Sequence, residues 1–194
     1  MMKEISIFLF LIFSASFCVA QNEALLIDEQ GKFIHYELID AKGLSKNQLK
    51  ETVSSFFKKP YKDLKLRTSR GDTSFLAYGK LIISKTVMVI SHPSGEILFD
   101  FQTEVKEGKY RFWLTNFSFV PYQRDRYGNF VAATTKGIPL ENNPGKLNLS
   151  QWKEYQAQTA KYAYQFAKDF KGHMVGKTSI AIPAKEKSVV KKEW

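Results

Sequence analysis

Glu96-Ile97-Leu98-Phe99-Asp100-Phe101-Gln102-Thr103-Glu104-Val105, then Lys106-Glu107-Gly108-Lys109, then Tyr110-Arg111-Phe112-Trp113-Leu114-Thr115-Asn116-Phe117-Ser118-Phe119-Val120: this run decides the fold. In its first segment Ile97, Phe99, Phe101 and Val105 fall on one side, with Asp100, Gln102 and Glu104 on the other. That two-residue period belongs to a strand with one face in a core. Gly108 can take positive φ, so the four central residues read as a hairpin turn. Tyr110–Val120 returns as a long aromatic strand that closes at Pro121. Strands joined this closely are antiparallel, because a parallel pair needs a crossover of about a dozen residues.

Upstream, Ser74–Ser84 reads as a strand, and Val87–Ile90 either extends it or forms a short partner. His92-Pro93-Ser94-Gly95 reads as a turn before the next strand. Tyr61–Thr68 is another strand, followed by the bend Arg70-Gly71-Asp72. Before it, Ser45 and Gln48 form a capping box, in which each side chain satisfies a free backbone N–H at a helix start. Leu49, Val53, Phe56 and Phe57 recur at helical spacing, so the pattern predicts a helix over 46–58, ended by Pro60. Lys32–Ile39 alternates as the first strand, broken by Gly43.

Downstream, residues 121–148 carry Gly128, Gly137, Pro139, Pro144 and Gly145, and read as a loop with at most a short hairpin around 129–133. Asn148 or Ser150 then caps a long helix. Trp152, Tyr155, Thr159, Tyr162, Ala163, Phe166 and Phe170 share one side of it, and Gly172 and Gly176 mark its end. The order is strand, helix, four strands, helix. The fold class is therefore α+β: an antiparallel sheet with two helices on one face, built by residues 32–176 as a single domain.

The ends read differently. Residues 1–20 have a positive start at Lys3, the apolar run Ile5–Phe13 and, in Cys18-Val19-Ala20, small residues three before and immediately before a cut ahead of Gln21, the pattern of a secretory signal. That apolar run is shorter than the ~20 residues needed to span a bilayer. Residues 21–31 form a lead-in arm with one apolar patch at 24–27. Residues 177–194 alternate lysine, glutamate and small apolar residues, the composition of a disordered basic tail. The expectation is export, leaving the protein periplasmic, outer-membrane-associated or secreted.

The chain has 194 residues and a formal charge of +10. Its lone cysteine, Cys18, lies in the signal, so a disulfide framework and thiol catalysis are both excluded for the mature protein. His35, His92 and His173 stand far apart, with no second ligand at metal spacing, so no metal or other cofactor is implied. No phosphate-binding loop or serine nucleophile elbow occurs. Glu96, Asp100 and Glu104 line one strand face and leave a carboxylate-dependent hydrolase as a remote alternative; the solvated strand face that alternation predicts is the better account of them.

The run Val105-Lys106-Glu107-Gly108-Lys109-Tyr110-Arg111-Phe112-Trp113 resembles the exported bacterial domain-of-unknown-function family 4468, in which a K-(D/E)-G-(R/K)-Y-R hairpin leads into an aromatic strand. With the early capped helix and the late helix, the resemblance spans roughly residues 30 to 172. It implies a fold like the TATA-binding protein, a curved antiparallel sheet backed by two helices. It implies no activity and brings no catalytic residues. The basic tail and the 121–148 loop depart from the family pattern.

Lys109, Arg111 and Trp113 share a strand face, followed by Arg124 and Arg126 beside Tyr122 and Tyr127. Cations interleaved with rings suit an anionic surface, through charge attraction and stacking. These seven are the candidate binding residues. The overall expectation is a non-catalytic exported binding module of the bacterial envelope, taking a partner protein, a peptide or an apolar ligand. No nucleic acid is expected, since fold does not carry function and an exported chain rarely meets DNA. The alternative is electrostatic binding to anionic envelope polymers or a membrane surface, with the basic tail contributing.

Overall fold

The computed structural model describes residues 24–58, 64–70, 73–87, 90–142, 144 and 148–175. The segment read as an export signal, the segment read as a basic tail and the Gly71-Asp72 bend lie outside these residues. The elements are β1 (Leu26–Ile27), β2 (Phe33–Asp40), α1 (Lys46–Lys58), β3 (Leu64–Arg70), β4 (Ser74–Val87), β5 (Ile90–Lys106), β6 (Lys109–Arg124), β7 (Phe130–Ala132), β8 (Ile138–Pro139) and α2 (Leu149–Val175). The sheet is antiparallel and open, in the order β1-β2-β6-β5-β4-β3, and β7 and β8 pair with the far half of β6.

The hairpin at the centre of the fold forms as its alternation requires. Gly108 takes φ +66°, and Lys106 pairs with Lys109, Glu104 with Arg111 and Phe101 with Leu114. Thr103 hydroxyl donates to the Arg111 carbonyl across the pair. Strand β2 pairs with β1 on one side and on the other skips β3, β4 and β5 to join β6, with His35 opposite Leu114 and Ile39 opposite Tyr110.

Helix α1 spans the residues its pattern predicts. Ser45 N–H donates to Gln48 Oε1 at 2.9 Å and Gln48 N–H to Ser45 Oγ at 3.3 Å, the reciprocal bonds of a capping box. Its buried stripe is Leu49, Thr52, Val53 and Phe56. Phe56 packs edge-on against Phe166 and Phe170 of α2 and, tilted, against Phe101 of β5. Phe170 in turn meets Phe101, Tyr110 and Phe112. Opposite residues of an antiparallel pair share a face, so both helices cover the same side of the sheet. Each such edge-on aromatic pair adds ~0.5–1.5 kcal/mol beyond its buried area.

Four local expectations need correction. His92-Pro93-Ser94-Gly95 is no turn: β5 starts at Ile90 and runs through it, Pro93 pairs with Ser84, and the register shifts there between Ile83 and Ser84. A bulge is where a strand accommodates proline, which cannot donate to the ladder. Pro121 likewise does not close β6, which continues to Arg124. The Pro121 carbonyl accepts from Ala133 N–H on the β7 side, so the missing N–H points that way and the ladder to β5 loses nothing. Gly172 lies inside α2, whose last described residue is Val175. The lead-in arm contains a strand, β1, whose Leu26 and Ile27 pair with Ile34 and Phe33.

Candidate functional site

The face of the sheet away from the helices carries every charged strand side chain singled out from the sequence. Before the bulge in β6 it displays Lys109, Arg111, Trp113 and Thr115; after it, Ser118, Val120, Tyr122 and Arg124. The switch from odd to even numbers occurs where the β5–β6 register shifts, between Leu98 and Asp100 on the β5 side. Asn116 takes φ +56° there, a left-handed conformation that asparagine tolerates better than most residues. Its side chain fixes the kink from both sides: Asn116 Nδ2 donates to Asp100 Oδ2 at 2.6 Å, and Lys32 Nζ donates to Asn116 Oδ1 at 2.7 Å.

The seven candidate residues do not form one patch. Fifteen residue steps separate Lys109 from Arg124 along β6, about 50 Å of extended chain. At the first end, Arg111 donates from Nε (2.9 Å) and Nη2 (2.7 Å) to the same Glu104 oxygen and lies over the Trp113 ring at 5.5 Å. Arg111 is only 6% exposed and Trp113 only 4%, so neither offers a free binding surface. Trp113 lies beside its cross-strand neighbour Tyr36. Lys109 lines an open depression of about 610 Å³ beside the β5–β6 turn. There Lys46, Lys106 and Lys109 alternate with Glu104 and Glu107, so no single charge sign dominates.

At the other end, Tyr122 hydroxyl donates to Glu96 Oε2 at 2.8 Å, and Lys80 Nζ approaches the same oxygen at 3.4 Å. Arg124, Arg126 and Tyr127 are exposed at the tip of the β6–β7 hairpin. Each strand carboxylate of β5 thus has its own partner: Glu96 has Tyr122 and Lys80, Asp100 has Asn116, and Glu104 has Arg111. Apolar side chains are also exposed on this face, Leu38 (40%) on β2 opposite Arg111 and Ile82 (43%) on β4 opposite Glu96. Ile34, Trp113 and Val120 are buried on this side, apart from the core beneath the helices.

Sequence reasoning missed a polar cluster on the helix side. His35, facing the core opposite Leu114, contacts Glu37 Oε1 through Nε2 at 3.0 Å, and Lys171 Nζ of α2 donates to Glu37 Oε2 at 2.7 Å. Burial alone would raise the Glu37 pKa, but the bonds from His35 and Lys171 outweigh it and hold the carboxyl below its ordinary value. Tyr110 lies nearby, and its hydroxyl has no hydrogen-bond partner among the described residues. Burial, with a smaller contribution from the Glu37 charge, raises the Tyr110 pKa well above its ordinary value. His35 and Glu37 two apart in a strand gave no warning of this, because the third member lies 134 residues from Glu37.

His173 lies within 2.8 Å of Ser55 Oγ, a distance that resembles an activated serine. The same Nε2 lies 3.1 Å from the Thr52 carbonyl, which can only accept, so this nitrogen carries the proton and cannot act as a base. The Ser55 hydroxyl also donates to the Thr52 carbonyl. The arrangement ties α2 to α1. His92 stands 6.3 Å from the Phe130 ring, remote from both other histidines in the fold. Among the described residues no group of His, Cys, Asp and Glu could hold a metal ion, and no helix is long and apolar enough to cross a membrane.

Residues 35–120 match the family described as "Domain of unknown function (DUF4468) with TBP-like fold". Among solved structures, the chain is similar to a DUF4468 family protein from Bacteroides ovatus, with a TM-score of 0.57 at 14% identity, covering 77% of this chain and 90% of that one. It is also similar to a TBP-like protein from Parabacteroides distasonis, with a TM-score of 0.59 at 12% identity, covering 78% of this chain and 97% of that one. At such identities the likeness concerns the fold alone. No curated protein matches the chain.

Proposed function

We propose that this chain, which carries the DUF4468 domain with its TBP-like fold, is a non-catalytic binding module of the bacterial envelope that takes its partner on the helix-free face of the sheet. The observation that carries this reading is the composition of that face. Leu38 and Ile82 are exposed on a face where Glu96, Asp100 and Glu104 each hold a fixed hydrogen-bond donor. Binding there removes apolar area from water at ~25 cal/mol per Å² without stripping an unpaired charge. The carboxylates of β5, each engaged by its own donor, supply no poised acid–base pair. An antiparallel sheet with helices on one side leaves its other side for recognition.

The experiment is site-specific photocrosslinking in the native envelope. A photoreactive residue is placed at Ile82, and as control at Lys168 on the exposed side of α2. The expected result is a discrete adduct, protein or lipid, from Ile82 and none from Lys168. Equal labelling from both positions, or none from Ile82, overturns the reading.

A further inference from the structure

We propose that the tip of the β6–β7 hairpin, Arg124 to Phe130, docks on an anionic phospholipid surface. This tip projects beyond the end of the face discussed above, sharing only Arg124 with it, and the proposal does not depend on that face.

The tip is rigid without any ligand. Asp125 Oδ1 accepts the N–H groups of Tyr127 (2.8 Å) and Asn129 (2.9 Å). Asp125 N–H donates to the Asn129 carbonyl, Gly128 N–H donates to the Asp125 carbonyl, and Gly128 takes φ +83°. Asp125 is the single acid between Tyr122 and Leu140, and its carboxylate is turned inward on these amides, chiefly that of Asn129, which lower its pKa.

What points outward is cationic and aromatic. The Arg124 guanidinium lies over the Phe130 ring at 4.8 Å and that of Arg126 over the Tyr127 ring at 5.7 Å. Among the described residues neither arginine pairs with a carboxylate. A guanidinium held against a ring keeps its N–H edge for oxygen, and its planar fork matches a phosphate. Lys136, in the segment that follows β7, adds a third exposed cation.

The apolar share favours a bilayer over a soluble polyanion. Tyr127 is 80% exposed at the apex, and Val131 and Ile138 are also exposed on the same excursion. A polyanion engages the arginines and leaves the aliphatic side chains in water. A membrane interface accepts both, with the cations at the phosphates and the amphipathic ring at the headgroup level. Rigidity matters too, because a preordered tip loses little conformational entropy on docking.

The test is co-sedimentation of the full chain with vesicles of phosphatidylcholine, with and without phosphatidylglycerol. The expected result is binding that requires phosphatidylglycerol. Each basic residue at an anionic surface contributes about fivefold to partitioning, so Arg124→Gln with Arg126→Gln lowers it about 25-fold. Tyr127→Ala lowers it further, with the thermal transition of both variants unchanged. Equal binding to neutral vesicles, or full binding by the double variant, overturns the proposal, since the apolar run near the N-terminus would then be responsible. Tight binding to heparin or inorganic phosphate that needs the arginines but ignores Tyr127→Ala also overturns it, in favour of a soluble anion.

Discussion

Tyr110 shows how one atom can cost stability at two different pH values. Its ring is fully buried between Phe112 and Phe170, yet its hydroxyl finds no partner among the described residues. A buried unsatisfied hydroxyl costs on the order of 1–3 kcal/mol, and an isosteric apolar replacement removes that cost. Tyr110→Phe is therefore expected to raise the stability at neutral pH by about 1 kcal/mol, read from denaturant titration. The sign at alkaline pH follows from the raised pKa. The folded tyrosine keeps its proton while the unfolded one loses it above its ordinary value of 10.0, so stability is full below that pH and declines as pH rises. The advantage of Tyr110→Phe over the wild type widens above pH 10.0; a constant difference would refute the account. None of this was legible in the sequence, where Tyr110 is one more aromatic in an alternating strand. Its neighbour Glu37 arrives through β2, about 70 residues away.

Among the elements, legibility followed the locality of the signal. Helix α1 was readable to its ends because Ser45, Gln48 and the Leu49–Phe56 stripe act within one or two turns. The interior of the hairpin was equally plain. Strand ends were not, because Pro93, Gly95 and Pro121 are turn residues by local preference, and only a bulge or a free ladder edge explains their place in a strand. Of the short strands of the 121–148 segment, β7 falls in the expected 129–133 hairpin, whereas β8 was hidden for a related reason: it exists by pairing with β6 and has no periodicity of its own. Gly79 belongs to this class. A Cβ there would overlap the Phe99 ring, which fills the space above the glycine on the core side. Gly79→Ala is expected to cost about 1–3 kcal/mol as an overpacking substitution, measurable as a fall in denaturation midpoint. A neutral result would mean that the ring moves aside freely.

At the scale of the molecule, two layers of buried residues share one sheet. Phe56, Phe101, Phe166 and Phe170 lie beneath the helices, while Trp113, Ile34 and Val120 lie on the opposite side. The strands between them belong to both layers, so neither should melt alone. Trp113 and Trp152 report on the two sides separately, since Trp152 packs against Phe119 under α2 and donates from Nε1 to the Leu140 carbonyl. In variants keeping one of these tryptophans, with Trp194 replaced, the fluorescence transitions in urea are expected to coincide, as a two-state unit requires. Separate midpoints would divide the domain at the sheet. The α+β class and the placement of both helices were legible from chain order. The division of the seven candidate residues between two ends of β6 was not, because a list of cations and rings does not state how far an unbroken strand carries them apart.

The strand order has a consequence for how such a chain is made. β2 emerges early from the ribosome, yet its ladder partner is residues 109–115. Until that late segment has been synthesised, β2 has only the two-residue β1 to pair with, and closure onto β6 must bridge a loop of about 70 residues, the kind of non-local pairing that slows folding. A half-finished polypeptide of this sequence thus lacks the strand on which its sheet is centred, and the sheet closes late.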